Sequence, residues 1–215
     1  GIEARYEIFD VRKKSKIRSS KVYGVTNNVR QLSHYVSDGI YEAITGIKGV
    51  ASTKILYVSQ SNEVDTSYRL YVADADGVNE QLLVKSPEPI ISPAWSPDSK
   101  KVAYVSFETG IANVYIQDIS TGERQSIIEK RCLTCISNEQ ISSPSWSPDG
   151  KYLSLTLYQD GNAEIYIYNL QKRNLTRLTN HYSIDTESQW SPDGRKLMFT
   201  SGRSGSPQLY ELDLR

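Results

Sequence analysis

Short runs in which apolar and polar residues alternate recur through the last two thirds of the chain. KVAYVSF, KYLSLTLY and KLMFTS form one set, and NVYIQDI, EIYIYNL and QLYELDL form another. A period of two is the pattern of strands with a face against a core. Ser-Pro-Asp-Gly, or Ser-Pro-Asp-Ser, precedes each run of the first set. Proline fixes φ, aspartate can accept from its own backbone, and glycine takes positive φ, so each is a tight turn. Three segments align without gaps: SPAWSPDSKKVAYVS (92–106), SPSWSPDGKYLSLTL (143–157) and ESQWSPDGRKLMFTS (187–201). Trp95 to Tyr115, Trp146 to Tyr166 and Trp190 to Tyr210 are each 20 residues, and the repeat starts lie 51 and 44 residues apart. A weaker copy, with TKILYVS and YRLYVADADG, precedes them and lacks the Ser-Pro-Asp turn.

Each unit reads as four short strands: one around the Trp, one after the turn, a third across a polar Gly-containing loop, and a fourth across a second turn. Four strands per repeat, with Trp and turn at fixed offsets, is the signature of propeller blades. The competing fold, a sandwich with coincidental spacing, would have to reproduce three identical offsets. The expected fold is therefore mainly β, with about four blades over 48–88, 89–136, 137–180 and 181–215. The three tryptophans occupy one equivalent site and are expected to be substantially buried.

The first 47 residues differ. ARYEIFDVRKKSKIRSSKVYGV reads as two strands joined by a basic turn. Leu32, Val36, Ile40, Ala43 and Ile44 then recur at helical steps, with Asn27 or Asn28 as N-cap and Gly46 just past the end. Such a β-β-α unit is too small to be a comfortable domain. Residues 1–47 read as the C-terminal part of an N-terminal α/β domain, and 48–215 as a partial propeller.

Composition narrows the function. Lys+Arg and Asp+Glu both total 25, which gives no electrostatic reason to expect nucleic acid. No apolar run approaches the roughly 20 residues of a membrane span. The 15 Tyr, 3 Trp and 3 Phe exclude a disordered chain. The chain begins at Gly1 and its one methionine is Met198, so it is expected to be a processed product or fragment, and a missing signal peptide says nothing of compartment.

YEIFDVR, VSDGIYEAITGIKGVASTKILYVS and SPAWSPDSKKVAYVSFE resemble the TolB family, periplasmic components of the Tol-Pal system of Gram-negative bacteria. The resemblance runs along essentially the whole chain, and the ITGIKG junction carries most of its specificity. It implies an α/β domain followed by a six-bladed propeller, of which this chain holds about four blades. It also implies a non-enzymatic protein without cofactors, in the periplasm, serving envelope integrity, cell division and protein import. The implied partners are the Pal lipoprotein, bound through the propeller, and TolA, bound through an N-terminal segment that the chain does not contain. Blades cut from a ring are expected to leave broad apolar faces bare. The RCLTCISNEQ loop is longer than expected for the family.

GRSGS puts Ser206 where a nucleophile elbow needs Gly, between strands and not at a strand-to-helix turn. His34 and His181 read as surface or structural histidines. Cys132 and Cys135 form half of a zinc ribbon with no second pair; a local disulfide and two free thiols both remain open. Asp74, Asp76, Asn79 and Glu80 evoke a calcium loop, but Val72 and Leu83 stand at its first and twelfth positions, so an Asp-Gly turn is the better reading. What remains is a binding surface where the first strands of the blades begin, around one mouth of the channel, with Ile90, Ile91, Ile141 and Ile184 interspersed among polar groups. The resemblance makes this the Pal surface, with Ile91, Ser92, Gln140, Ile141, Ser142, Ser143, Thr186 and Glu187 as its residues. The second functional reading is an accessory propeller of a prolyl-oligopeptidase-like hydrolase.

Overall fold

A computed structural model describes residues 1–26, 28–61, 66–127, 140–159 and 161–214. Contacts divide the chain into two units, one of Gly1–Ile55 with Val72–Gln81, the other of Leu56–Tyr71 with Leu82–Arg215. No described helix is long and apolar enough to cross a membrane.

In the first unit, β1 (Ile2–Asp10) and β2 (Ser15–Gly24) form an antiparallel hairpin. Alternation turns Ile2, Ala4, Tyr6 and Ile8 inward, and helix α1 (Val29–Thr45) packs against the hairpin. Asn28 caps the helix, its side chain accepting from the Gln31 amide, and Gly46 ends it at φ 75°. Two close approaches set the helix position. A Cβ on Gly24 would lie 3.3 Å from Leu32, and one on Gly39 would collide with the Tyr6 hydroxyl. Of the apolar stripe, Leu32 is buried, Val36, Ile40 and Ala43 are half-buried, and Ile44 is exposed. The junction after the helix is held by Asp38, which accepts from the Ala51 and Ser52 amides at 2.7 and 2.9 Å. Gly49 leaves room for that carboxylate.

Four further sheets follow in chain order. β3 (Lys54–Ser61), β4 (Ser67–Asp74) and β5 (Gln81–Ser86) form the first. β6 (Ile90–Trp95), β7 (Lys101–Ser106), β8 (Asn113–Asp118) and β9 (Arg124–Ser126) form the second. β10 (Gln140–Trp146), β11 (Tyr152–Gln159), β12 (Asn162–Asn169) and β13 (Asn174–Arg177) form the third. β14 (Asp185–Trp190), β15 (Lys196–Ser201) and β16 (Gln208–Asp213) form the last. The second, third and last sheets are antiparallel meanders, as a blade requires.

Within the second unit the sheets stack face to face. β10 packs on β6, β7 and β8, and β14 packs on β10, β11 and β12, so the first strands of the third and last sheets, the inner strands of a blade, lie across the sheet before them. Between the second and third sheets lie Val105, Val114, Ile141, Leu153 and Leu155, all fully buried. Leu197 and Phe199 cover Ile165 across the next interface. The Trp position repeats its bonding. The Trp146 indole N–H donates to the Ala94 carbonyl at 3.3 Å, and Trp190 donates to Ser145, the equivalent residue one blade on, at 3.2 Å. All three tryptophans are half-buried, each packed against one of the buried apolar clusters.

The turns themselves are near copies. Ser96, Ser147 and Ser191 donate their hydroxyls to Asp98, Asp149 and Asp193 at 2.6, 2.7 and 2.6 Å. The same hydroxyls accept from the amides of Lys101, Tyr152 and Lys196. These serine bonds hold all three carboxyls below the ordinary aspartate value. Gly150 and Gly194 take φ 70°, where each packs on the proline of the preceding turn, Pro97 and Pro148.

One expectation is corrected on the last sheet. Its face turned away from the third sheet pairs Met198 with Glu211, Thr200 with Leu209, and Lys196 with Asp213. Met198 and Leu209 are exposed, but a Lys196–Glu211 ion pair of 2.6 Å lies beside them. The face is mixed and not broadly apolar.

Candidate partner-binding surface

The inner strands share an irregularity at the end where they begin. The ladder slips between Ile91 and Ala94, between Ser142 and Ser145, and between Thr186 and Gln189. In each slip one residue is left-handed: Ser92 at φ 51°, Ser143 at φ 51° and Glu187 at φ 56°. A side chain in that conformation costs about 1–2 kcal/mol, and bulges cluster at rims and binding sites because they re-aim side chains. Three successive blades thus bend at one position with three non-glycine residues.

The second strands end at the same place, since Ile90 pairs with Ser106, Gln140 with Tyr158 and Asp185 with Ser201. Ile91, Ser92, Gln140 and Glu187 are exposed there, and Ser142, Ser143 and Thr186 are half-buried. Ile141 is not a surface residue. It is fully buried, as is its equivalent Ile90, because the bulge inserts a residue and reverses which positions face inward beyond it. The exposed apolar groups are instead Ile91, Tyr158, Ile184 and Tyr182, the last tilted against the His181 ring at 4.2 Å.

Two buried carboxylates brace this end. Asp185, fully buried where the two preceding repeats carry isoleucine, pairs with Arg203 at 2.7 Å. The Arg203 guanidinium in turn stacks on Phe199 and Tyr210 at 5.2 and 4.8 Å. Glu164 accepts from the Thr179 hydroxyl (2.6 Å), Arg177 (2.8 Å) and the His181 amide (2.8 Å), which fixes the chain leading to β14. Leaving such a buried charge without its partner would cost several kcal/mol, so these contacts hold the loop rigidly. The Glu187 amide then donates across the blade interface to Thr156 at 3.3 Å. Sequence reasoning missed Arg203, Tyr158 and Tyr182. The facing pairs of a blade meander are the signal that could have found Tyr158.

The other candidates sit elsewhere. His34, Asp74 and Asp76 bring ligand atoms within 4.8 Å of one another. Arg30 already binds Asp76, and Lys54 binds Asp74 at 2.8 Å, so the group is an ion-pair network. The Asp74 carboxyl is lowered by the Lys54 hydrogen bond. The loop over Asp74–Asn79 is a turn with Gly77 at φ 81°. Ser206 accepts from Gln208, and His181 accepts from the Ser183 amide, so the described residues form no Ser-His pair. Cys132, Cys135 and Asn27 lie outside the described residues.

Comparison with known proteins agrees with this architecture. Residues 41–215 match the family model described as the TolB beta propeller domain. The Tol-Pal system protein TolB of Alcanivorax borkumensis is 46% identical over 162 residues, which is 75% of this chain and 36% of that protein. The crystal structure of TolB from Acinetobacter baumannii superposes with a TM-score of 0.88 at 42% identity, covering 99% of this chain and 52% of that one. The chain thus spans about a third to a half of the length of these relatives. A puromycin-hydrolyzing peptidase of Mycobacterium tuberculosis aligns with 75% of the chain at 16% identity and a TM-score of 0.59, a likeness of fold alone.

Proposed function

The chain belongs to the TolB β-propeller family, and from that premise we propose that it is a non-enzymatic protein-binding module of the Tol-Pal system. It works in the periplasm, in envelope integrity and the cell division and protein import that depend on it. It receives the Pal lipoprotein at the end where the inner strands begin, on a surface that includes Ile91, Ser92, Gln140, Ser142, Ser143, Thr186 and Glu187. TolA is a second partner, and residues 1–47 are the C-terminal part of an N-terminal α/β domain, followed in sequence by a partial propeller over 48–215.

The observation that carries this reading is the triple bulge. Three blades hold Ser92, Ser143 and Glu187 left-handed at one register position, a strain that no turn or cap at that position requires. Strain of this kind persists where the surroundings over-determine it, and it marks sites in which a side chain must be aimed. A rigid rim with a few apolar groups among hydrogen-bonding ones suits a protein partner. The hydrolase reading has the peptidase fold likeness behind it and no feature of this surface.

Pull-down and calorimetry with Pal, on the full-length protein and on this chain, test the proposal. Replacing Thr186 and Glu187 together by Ala should weaken Pal binding by about 1 kcal/mol or more with the fold intact. Unchanged affinity removes this rim from the interface.

A further inference from the structure

At the opposite end of the inner strands, beneath the Ser-Pro-Asp turns of the last two sheets, lies a cavity of about 610 Å³. Its walls include Tyr152 and Trp190, whose rings stack at 6.4 Å, together with Ile167, Leu178 and Leu214. Asp149 and Asp193 also line it. Both carboxyls lie below the ordinary aspartate value and are ionised at neutral pH. The cavity is of ligand size, aromatic and aliphatic at its walls, and carries two negative charges.

Comparison of the repeats shows how this cavity differs from its counterparts. Six residues after each Trp of the repeat stand Lys101, Tyr152 and Lys196. In the ladders these face Asp118, Asn169 and Asp213. The second and last sheets therefore place a lysine opposite an aspartate at this position; Lys196 makes its ion pair with Glu211 at 2.6 Å, with Asp213 as a further nearby charge. The third sheet carries Tyr–Asn instead. An aromatic ring thus stands in one blade where the blades on either side carry an ammonium group, and the turn carboxylate is the same in all three. Two cations act on these carboxylates from the turns themselves, the Lys151 ammonium, 3.8 Å from Asp149 on an exposed side chain, and Arg195, whose charge helps to lower Asp193; neither residue lines the cavity.

We propose that this cavity receives an organic cation on an apolar stem, the side chain of a lysine or arginine presented by a partner polypeptide. The stem lies against Ile167, Leu178 and Leu214, the charged head sits over Trp190 and Tyr152, and Asp149 and Asp193 neutralise it. Cation–π attraction and paired carboxylates reinforce one another where water is partly excluded.

NMR titration of the intact chain with N-acetyl-arginine amide tests this, read at the Trp190 indole N–H and at the Asp149 and Asp193 turns. Saturable shifts at those positions are expected, and the uncharged N-acetyl-norleucine amide should bind about tenfold more weakly. Tyr152→Lys restores the residue that the neighbouring blades carry, so the fold should survive, and binding should fall about tenfold or more. Asp149→Asn and Asp193→Asn keep the oxygen that closes the turn and should each weaken binding severalfold. Equal binding of the uncharged probe, or undiminished binding to Tyr152→Lys, would overturn the proposal. Tighter binding of free arginine than of the blocked residue would overturn its assignment to a polypeptide side chain.

Discussion

At one end of each inner strand, Ser96, Ser147 and Ser191 repeat the same side chain and the same bonds to Asp98, Asp149 and Asp193. At the other end, Ser92, Ser143 and Glu187 repeat only a backbone conformation. The turns spend their polar groups internally. Serine and aspartate satisfy each other and the next strand, and glycine packs against the proline of the neighbouring turn, so a change at the serine or loss of the aspartate oxygen breaks a bond. The bulges do the reverse. Their geometry is set by the slip of the ladder, reinforced at Glu187 by Glu164 and the Asp185–Arg203 pair, and their side chains differ. A fold that fixes a backbone from beneath can vary what it displays above.

The largest effect expected from this contrast is at the turn end. Trp146→Ala removes a half-buried ring and leaves the Ala94 carbonyl without its donor, which should cost about 3 kcal/mol, the low end for a large aromatic. At the rim, Ser142→Ala should stay within about 0.5 kcal/mol. Urea midpoints of the two variants decide the matter; comparable losses would mean that the rim is as structural as the turns.

Acid probes the same contrast through ionisation. The serine hydroxyl, first among the causes, holds Asp98, Asp149 and Asp193 below their ordinary value of 3.8. A folded-state value below the unfolded one stabilises the fold above about pH 4, and that contribution is lost as pH falls through the folded-state value. Stability should therefore decline below about pH 4, and the triple Asp→Asn variant should flatten that slope. A slope that survives the triple substitution would assign the acid sensitivity to carboxylates outside the turns.

The blades were legible because their periodicity is local. A Trp, a turn and a Tyr at fixed offsets sit within one meander, and the caps of α1 lie within four residues of its ends. The mixed face of the last sheet was not, since it depends on which side of each strand faces outward. The misplacement of Ile141 has a sharper cause. The sequence places Ile141 in the loop entering the strand, whereas β10 begins at Gln140 and the bulge at Ser143, which no glycine announces, sets the face that Ile141 takes. Arg203 escaped because its partner, Asp185, is 18 residues away and stands where the other repeats carry isoleucine.

The smallest effects sharpen the comparison most, because one substitution asks the same question at both ends. Ser99 is left-handed at φ 58°, in a turn whose two counterparts carry Gly150 and Gly194. Ser99→Gly should therefore stabilise the protein by about 0.5–1 kcal/mol, the strain relieved less the added chain entropy of glycine. Glu187→Gly relieves the same kind of strain at φ 56° and should stabilise by a similar amount. Its consequences should then diverge. At the turn nothing but stability changes. At the rim the carboxylate is lost, and Pal affinity should fall by about 1 kcal/mol even as the melting temperature rises. A variant that is both more stable and a weaker binder is the signature of a side chain kept strained for its display. If Glu187→Gly gains stability and binds Pal undiminished, the left-handed residue matters only as a bend in the strand, and the partner reads the backbone and neighbouring side chains instead.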